Sequence, residues 1–402
     1  MAGCQIDTKG FSRRIKNHIV GPEHRFAIVV PAEFAGICLK EVSSLEIKDP
    51  ESSEAGIEFS GRLKDAYLCN LWLRSPSRVL CRLAPFRAGV SEELFYKVSQ
   101  IPWELWLNPE IPLDIEAHVE YSRISHEGRV AEVIADSIQR CLQEKGAVCP
   151  PCGAPRSDEA EVKQKILVRL EENHCLISLD MSGRNLHQRG YRLRHTGAPL
   201  RETLAAAILS RSDWNGNEPI VDGMCGSGTF AIEAALMSRR IAPGAGRDFL
   251  FQRWPSFQKE TWEYLLRKAK DDSLLRTPGT IIGIDIDEEA VGVSAENAGR
   301  AGVGADIEWK KMDFFDFNPR DVGIKEGLIV LNPPYGVRMG AGGVSLYEKI
   351  GAHLRRNFKG WKYAVLARSR LEASAMSTGR VRLWSVRHGG MNIAVALGKV
   401  LS

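Results

Sequence analysis

The sequence has no long hydrophobic run, since no stretch of about 18 uncharged apolar residues that could cross a membrane occurs in it. Its first residues carry charges and lack the apolar core of a secretory signal peptide. The nine cysteines are irregularly spaced, which argues against a disulfide framework and favours a reducing compartment. These absences argue against a membrane or disulfide-rich secreted protein and predict a cytoplasmic one.

Internal repeats and low-complexity tracts are absent as well. A metal site has little support. Cys149 and Cys152 form a CxxC pair whose spacing from His174 and Cys175 would suit zinc, but lone CxxC pairs in linkers are more often ordinary thiols. We therefore predict no bound metal.

Positive charge is concentrated in two stretches, although the formal net charge is only +4. Residues 351–402 contain ten Lys or Arg and a single acid, Glu372. The other stretch has no acid and contains five arginines: Arg184, Arg189, Arg192, Arg194 and Arg201. Clustered cations favour a polyanionic partner, because each neutralised phosphate releases counterions, although a solvated face is the alternative.

A chain of 402 residues predicts two or three domains. Residues 1–24 are basic and are predicted to form a loose arm. Two small modules of mixed strands and helices follow at 25–55 and 56–148, and 149–195 contain a Pro- and Gly-rich linker and a strand hairpin. In residues 196–402 strands and helices alternate regularly, which predicts a parallel doubly wound α/β sheet with a terminal antiparallel hairpin at its edge.

A glycine-rich turn at residues 223–228 joins a predicted strand to a predicted helix, where a nucleotide-like cofactor is expected. Residues 226–231 match GxGxxA, so a dinucleotide dehydrogenase is one candidate. Asp222 argues against it, because a carboxylate there repels a pyrophosphate and suits the cationic amino-acid end of S-adenosylmethionine. The next acid at a strand end, Asp285, also lies far beyond the ~20 residues of the dinucleotide fingerprint.

Three aspartates follow three successive strands. In a methyltransferase, Asp285 would accept hydrogen bonds from the ribose hydroxyls of the cofactor, and Asp313 would accept one from the adenine amino group. Each aspartate alone could be a helix cap or turn residue. Their shared position at strand ends favours a cofactor site that includes Asp222.

The sequence Asn332-Pro333-Pro334-Tyr335 follows an apolar strand and is the most specific motif in the chain. An exocyclic base amine is a poor nucleophile until its protons are accepted. The Asn332 side-chain oxygen and the Pro333 carbonyl, held by two prolines with fixed φ, supply two acceptors that stabilise the growing positive charge. Tyr335 would stack on a base flipped out of its helix.

Similar motifs act on several planar amines, so this chemistry leaves guanine N2, adenine N6 and protein glutamine N5 open. The basic stretches and the large amino half disfavour the glutamine reaction. A non-catalytic RNA-binding protein with the same fold is the alternative outside the enzymes, although its intact acidic and Asn motifs argue against it.

With these motifs in place, the chain resembles the THUMP-domain family of RNA guanine-N2 methyltransferases, which includes ribosomal and transfer-RNA enzymes. The resemblance covers nearly the whole chain from about Phe26. It is carried by stretches such as HVEYSRISHEGRVAEVIADSIQRCL, LDMSGRNLHQRGYR, APLRETLAAAIL, DGMCGSGTFAIEAA, GIDID and LNPPYG. The family contains fused two-enzyme relatives, whereas this chain has one methyltransferase domain, and the arm at 1–24 is outside the usual pattern.

The resemblance implies a ferredoxin-like part at 25–55, a THUMP RNA-binding module at 56–148 and a Rossmann-like class I methyltransferase domain with a seven-stranded, mostly parallel sheet at 196–402. It implies S-adenosylmethionine as cofactor and structured ribosomal or transfer RNA as partner, with no membrane and no obligate protein partner. Large-subunit ribosomal RNA is the preferred substrate. The implied cofactor residues are Pro199, Leu200, Asp222, Gly223, Cys225, Gly226, Ser227, Gly228, Thr229, Asp285, Ile286, Asp313, Phe314 and Asn332. The implied RNA contacts are Arg184, Arg189, Arg192, Arg194, Arg338 and Arg368.

Overall fold

A computed structural model describes residues 8–54, 56–145, 162–194, 200–334 and 343–401. The chain divides into two compact units. The first contains Met1–Leu186 and Asp248–Leu266, and the second contains His187–Arg247 and Arg267–Ser402. Among the described residues, no helix has the length and hydropathy needed to span a membrane.

The first unit is built on an eight-stranded mixed sheet. Seven strands follow the order β2-β3-β1-β4-β8-β7-β6, and β5 pairs with β8. The strands are β1 (His24–Val29), β2 (Glu51–Ser53), β3 (Gly56–Gly61), β4 (Arg78–Arg82), β5 (Phe86–Arg87), β6 (Leu113–Glu120), β7 (Gln164–Glu171) and β8 (His174–Asp180). The helices are α1 (Thr8–Ile15), α2 (Ala35–Ser44), α3 (Leu63–Trp72), α4 (Ser91–Ser99), α5 (Trp103–Trp106) and α6 (Glu127–Glu144).

The hairpin β7–β8 turns through Glu172 and Asn173, both with positive φ. Its sequence predicts the hairpin but not its partners. Strand β7 pairs in parallel with β6, and β8 pairs antiparallel with β4, so both strands complete the first sheet. From the linker composition we expected residues 149–195 to form a separate segment that includes the hairpin. The strand pairing instead shows that the hairpin belongs to the sheet of the first unit.

The expected loose arm at residues 1–24 is helical in its described part. Helix α1 covers Thr8–Ile15, and a wider helical turn continues to Val20. Phe11, Ile15 and Ile19 recur every four residues, and their side chains are half-buried, half-buried and buried. This apolar face explains why a stretch of basic composition is ordered.

An insertion from the carboxyl half of the sequence belongs to the first unit. Phe251 in this insertion stacks on Tyr67 with ring centroids 4.3 Å apart. Trp254 donates an indole hydrogen bond of 2.8 Å to Gln164 Oε1, and the Phe251 amide donates to the Met181 carbonyl. The insertion at 248–266 thus supplies part of the hydrophobic core of the first unit.

The second unit contains a seven-stranded sheet in the order β11-β10-β9-β12-β13-β15-β14. The strands are β9 (Ile220–Asp222), β10 (Ile281–Asp285), β11 (Ile307–Lys311), β12 (Leu328–Leu331), β13 (Lys362–Ala367), β14 (Val381–His388) and β15 (Met391–Lys399). The helices are α7 (Glu202–Arg211), α8 (Thr229–Ser238), α9 (Lys259–Asp271), which crosses the division between the units, α10 (Glu288–Arg300), α11 (Gly343–Asn357) and α12 (Arg370–Ala375).

Five strands of this sheet are parallel, and the hairpin β14–β15 adds two antiparallel strands at one edge. The predicted doubly wound sheet with its terminal hairpin is confirmed. The four residues of β12 form a continuous apolar run and are all buried, which is the pattern of a parallel strand covered on both faces.

Candidate cofactor and methyl-transfer site

The predicted polar residues converge at the carboxyl edge of the second sheet. Strands β9, β10 and β12 are parallel and in register, so Asp222 is paired with Gly283 on one side and Val330 on the other. The turn after β9 crosses the neighbouring strand ends: Gly223 N donates to Val330 O at 3.0 Å, and Cys225 N donates to Ile284 O at 2.9 Å. This edge is where ligands bind in open α/β sheets.

Two glycines of the turn allow close packing, and a third leaves space. A Cβ at Gly223 would lie 2.6 Å from the Leu331 side chain and 2.7 Å from the Phe314 ring. Gly228, with φ +78°, approaches the Trp309 ring in the same way. Gly226 also has positive φ, but a Cβ there would meet no described atom within 4 Å. Its backbone therefore faces open space that a ligand could approach.

Helix α10 holds the turn through two buried polar side chains that sequence reasoning did not single out. Ser294 Oγ donates to the Gly226 carbonyl at 2.8 Å, and Asn297 Nδ2 donates to the Ser227 carbonyl at 3.2 Å. The sequence could have indicated both residues, because a polar side chain at a core-facing position of a helix needs a hydrogen-bond partner.

The remaining predicted residues of the turn are buried. Ser227 Oγ and Thr229 Oγ1 lie 3.4 Å apart where α8 begins. The Cys225 thiol lies 3.8 Å from Ser294 Oγ, and burial raises its pKa well above the usual value. A thiol kept protonated in this way packs against the turn and does not act as a nucleophile at neutral pH.

Asp222 is buried, and its Oδ2 accepts a 3.3 Å hydrogen bond from Ala231 N in α8. Burial, with a smaller contribution from the neighbouring Asp285 charge, raises the pKa of Asp222 to about 8. A cation placed beside this carboxyl group would lower its pKa, because the cation favours the charged form.

Asp285 supports the turn directly. Its Oδ2 accepts a hydrogen bond from Gly226 N at 2.8 Å, and Oδ1 accepts one from Asp287 N at 3.0 Å. Each carboxylate oxygen retains a lone pair for a further donor. The next residue, Ile286, has 68% of its surface exposed and could cover the apolar face of a ligand.

Asp313 has the capping role that we considered as its alternative, since its Oδ1 accepts a hydrogen bond from Phe315 N at 3.0 Å. No described residue donates to its other oxygen. Phe314 is buried against the position of Gly223. Capping and ligand binding are compatible, because each role uses a different carboxylate oxygen.

Asn332 follows β12 directly. Its Oδ1 is buried and accepts no hydrogen bond from the described residues. Pro333 is buried and Pro334 is exposed, whereas Tyr335 lies outside the described residues. A buried amide oxygen without a donor is costly, and such an atom at a strand end indicates that a ligand completes it.

Two predicted RNA contacts lie inside the second unit. Arg189 lies 3.6 Å from Glu233, and its side chain is only 3% exposed. Arg192 pairs with Glu202 at 2.5 Å and donates to the Leu200 carbonyl at 2.7 Å. These two arginines support the protein interior instead of facing RNA, because their carboxylate partners come from α7 and α8.

Arg192 also reaches the start of α8, directly after the glycine-rich turn at residues 223–228 (the cofactor turn), where it donates to Thr229 Oγ1 at 3.4 Å. Tyr191 beside it donates to Glu233 Oε1 at 3.1 Å. Leu200 is buried, and its carbonyl belongs to this network. Pro199, which we predicted beside the cofactor, lies outside the described residues.

The other predicted RNA contacts differ in exposure. Arg184, Arg194 and Arg368 are exposed, and the latter two form surface ion pairs with acids of their own unit. Arg338 lies outside the described residues, as do Cys149 and Cys152 of the considered zinc pair. In the described part of the chain, no group of three or more possible metal ligands occurs.

The residues at this edge fit S-adenosylmethionine. The buried carboxyl group of Asp222 suits the ammonium group, and the Asp285 carboxylate, which has free lone pairs, suits the ribose hydroxyls. The exposed Ile286 suits the adenine ring, and the open space above Gly226 lets the ligand approach the backbone. The acceptor Asn332 Oδ1 completes the set on the neighbouring strand.

Comparison with known proteins identifies the family and the fold. Residues 189–395 match the family UPF0020, described as RMKL-like, methyltransferase domain, and residues 25–80 match the RlmL ferredoxin-like domain. The crystal structure of SMU.472 complexed with SAH superposes with a TM-score of 0.81 and 27% identity, covering 94% of this chain and 99% of that one.

Two curated relatives extend the comparison. The "Putative RNA methyltransferase slr0064" of Synechocystis sp. is 32% identical over 88% of this chain and 91% of its own length. The ribosomal RNA large subunit methyltransferase K/L of Syntrophotalea carbinolica is 33% identical over 91% of this chain. The chain spans only 52% of that relative's length.

Fold and site together define a class I S-adenosylmethionine-dependent methyltransferase. The chain belongs to the UPF0020 family, with an RlmL-type ferredoxin-like domain in its amino half. The relatives that it matches are named as RNA methyltransferases.

Proposed function

We propose that this protein transfers a methyl group from S-adenosylmethionine to the exocyclic N2 of guanine in large-subunit ribosomal RNA. The observation that carries the proposal is the buried Oδ1 of Asn332 at the end of β12, to which no described residue donates a hydrogen bond. An amide oxygen to which no described residue donates can accept a hydrogen bond from an incoming amine. The named activity of the K/L relatives supports the choice of RNA.

Bound S-adenosylmethionine supplies an electrophilic methyl group. Asn332 Oδ1 and the Pro333 carbonyl accept hydrogen bonds from the target amine, so that its lone pair turns toward that methyl group. The same two oxygens stabilise the positive charge that grows on nitrogen during transfer. Pro333 and Pro334 fix the backbone that aims both acceptors, and Tyr335 stacks on the flipped base.

We assign RNA contacts to the exposed Arg184, Arg194 and Arg368, and to Arg338, which follows the catalytic motif in the sequence. A THUMP-like RNA-binding role is assigned to residues 56–148. Strands β7 and β8 belong with that module because they pair with β6 and β4. We propose a cytoplasmic location, because ribosomal RNA is the proposed substrate.

The test is a methylation assay with purified protein and RNA from a strain that lacks it. Large-subunit ribosomal RNA and transfer RNA are assayed separately, and the nucleosides are identified by mass spectrometry. N2-methylguanosine in ribosomal RNA is expected. Its appearance only in transfer RNA would identify transfer RNA as the substrate, and N6-methyladenosine would identify adenine as the target base. RNA binding without any methyl transfer would indicate a non-catalytic protein.

A further inference from the structure

A groove of about 550 Å³ lies between α11 and the residues that follow Asp313, outside the cofactor site. From α11, Lys349, His353 and Arg356 line it at spacings of four and three residues, which places them on one helical face. Phe315 and Asn318 form the opposite wall. All of these residues belong to the second unit.

The floor of the groove is held by a hydrogen-bonded relay. His353 Nε2 lies 3.1 Å from the Phe317 carbonyl, which can only accept, so Nε2 carries the proton and donates. Nδ1 then accepts from Asn357 Nδ2 at 3.0 Å. This relay fixes the orientation of the Asn357 amide and leaves its Oδ1 without a donor among the described residues.

The relay adjoins the cofactor site. The His353 ring packs edge-on against Phe314 with centroids 4.7 Å apart, and Phe314 in turn packs at Gly223 of the cofactor turn. Phe315, which lines the groove, also lies 5.7 Å from the His353 ring. One layer of aromatic rings therefore separates the groove from the cofactor turn.

The two cationic side chains of the groove make no ion pair with the described part of the protein. Lys349 and Arg356 are exposed, and no described residue forms an ion pair with either. The adjacent Arg355 differs, because it donates to the Met376 and Ser377 carbonyls. Asp316 is the one acid among the residues that line the groove.

We propose that this groove binds a nucleotide of the substrate RNA other than the target base, an inference that rests on the proposed RNA substrate. Lys349 and Arg356 contact two backbone phosphates, and their separation of ~10 Å along α11 lets one strand reach both. The base packs against Phe315, and the fixed Asn357 amide contacts its edge. An aromatic wall beside paired cations is the composition that binds unpaired nucleotides.

The experiment measures binding of a fluorescein-labelled, mixed-sequence RNA dodecamer at several KCl concentrations. Lys349→Ala with Arg356→Ala should reduce the slope of log affinity against log salt by about 1.4, because two single-strand phosphate contacts are lost. The matched control, Lys325→Ala with Lys359→Ala, removes the same charge from exposed positions outside the groove and should keep the wild-type slope. Phe315→Ala should weaken binding roughly tenfold without changing the slope.

Each outcome decides between the two proposals. Unchanged affinity for S-adenosylhomocysteine in every variant verifies the fold. A wild-type slope in the groove variant overturns the groove assignment alone, whereas wild-type protein that binds neither the dodecamer nor large-subunit ribosomal RNA contradicts the proposed substrate. AMP is titrated as the free-nucleotide arm, and micromolar AMP binding that depends on Lys349 and Arg356 would assign the groove to a free nucleotide instead of RNA.

Discussion

Arg192 and Glu202 form an ion pair of 2.5 Å in which the side chains are only 11% and 3% exposed. Removal of Arg192 leaves the buried Glu202 carboxyl, whose pKa burial raises to about 7, without its cation, and breaking such a pair typically costs about 3–5 kcal/mol. We therefore expect Arg192→Met to lower the free energy of unfolding by about 3 kcal/mol in urea titrations at neutral pH. It should also weaken S-adenosylmethionine binding, because Arg192 donates to Thr229, the first residue of α8 after the cofactor turn.

Arg194 is the matched control for this prediction. Its side chain is 58% exposed, and its acidic partners are exposed as well, so Arg194→Met should change the free energy of unfolding by no more than about 0.5 kcal/mol. The double variant with methionine at both Arg192 and Glu202 should recover most of the lost stability. Equal losses for the two single arginine variants would contradict a supporting role for Arg192.

Asn332 and Asn297 are two asparagines near the cofactor turn with opposite uses of their amide groups. Asn332 Oδ1 has no described donor, whereas Asn297 donates to Ser227 and accepts from Arg300. Asn332→Ala should reduce methyl transfer by about 10²- to 10³-fold and leave the melting temperature unchanged or higher.

Asn297→Ala should lower the melting temperature, because partners in the turn and at Arg300 lose their hydrogen bonds. Thermal melts and single-turnover assays on both variants separate the two roles. If Asn332→Ala lost stability and kept its activity, the amide would be structural and the proposed chemistry wrong.

The parallel sheet and its site were predictable because each depends on local sequence. Apolar runs alternate with helical periodicity, and the residues after Asp222, Asp285 and Leu331 end strands whose parallel order brings them to one edge. The three carboxyl ends lie together in the structure through the register of β9, β10 and β12.

The use of the Arg-rich stretch was not predictable from local sequence. It contains no acid, so exposure to a polyanion was the natural interpretation. Arg189 and Arg192 instead pair with Glu233 and Glu202, which follow later in the chain and meet them only after folding. The same limit applies to the insertion at 248–266, whose aromatic residues contact a core formed by the amino half.

That insertion predicts how fragments of the chain behave. A fragment of residues 1–186 lacks Phe251 and Trp254, so it exposes Tyr67 and leaves Gln164 without its indole donor. Loss of a buried aromatic typically costs about 3–5 kcal/mol, comparable to a large part of a domain's stability. We expect the fragment to lack a cooperative thermal transition by circular dichroism. The same fragment with residues 246–268 attached through a Gly-Ser linker should regain one.

The raised pKa of Asp222 predicts that cofactor binding releases a proton. Its pKa is raised to about 8 by burial, so the unliganded protein holds a proton there at pH 7. The ammonium group of S-adenosylmethionine beside it would lower that pKa and release the proton. Calorimetry at pH 7 in phosphate and in Tris, which differ in ionisation enthalpy, should report release approaching one proton, and Asp222→Asn should report none. Equal binding enthalpies in the two buffers would show that the ammonium group lies elsewhere.

The same shift makes stability depend on pH in a defined direction. The folded protein binds this proton more tightly than the unfolded chain, whose Asp222 titrates near the usual value of 3.8. The contribution to stability is therefore fully present below about pH 4 and is lost as the pH rises through about 8. Urea titrations between pH 5 and pH 9 should show the wild-type protein losing more stability than Asp222→Asn, because the amide has no charge to bury. A steeper loss in the variant would mean that the carboxyl group is already ionised in the unliganded fold.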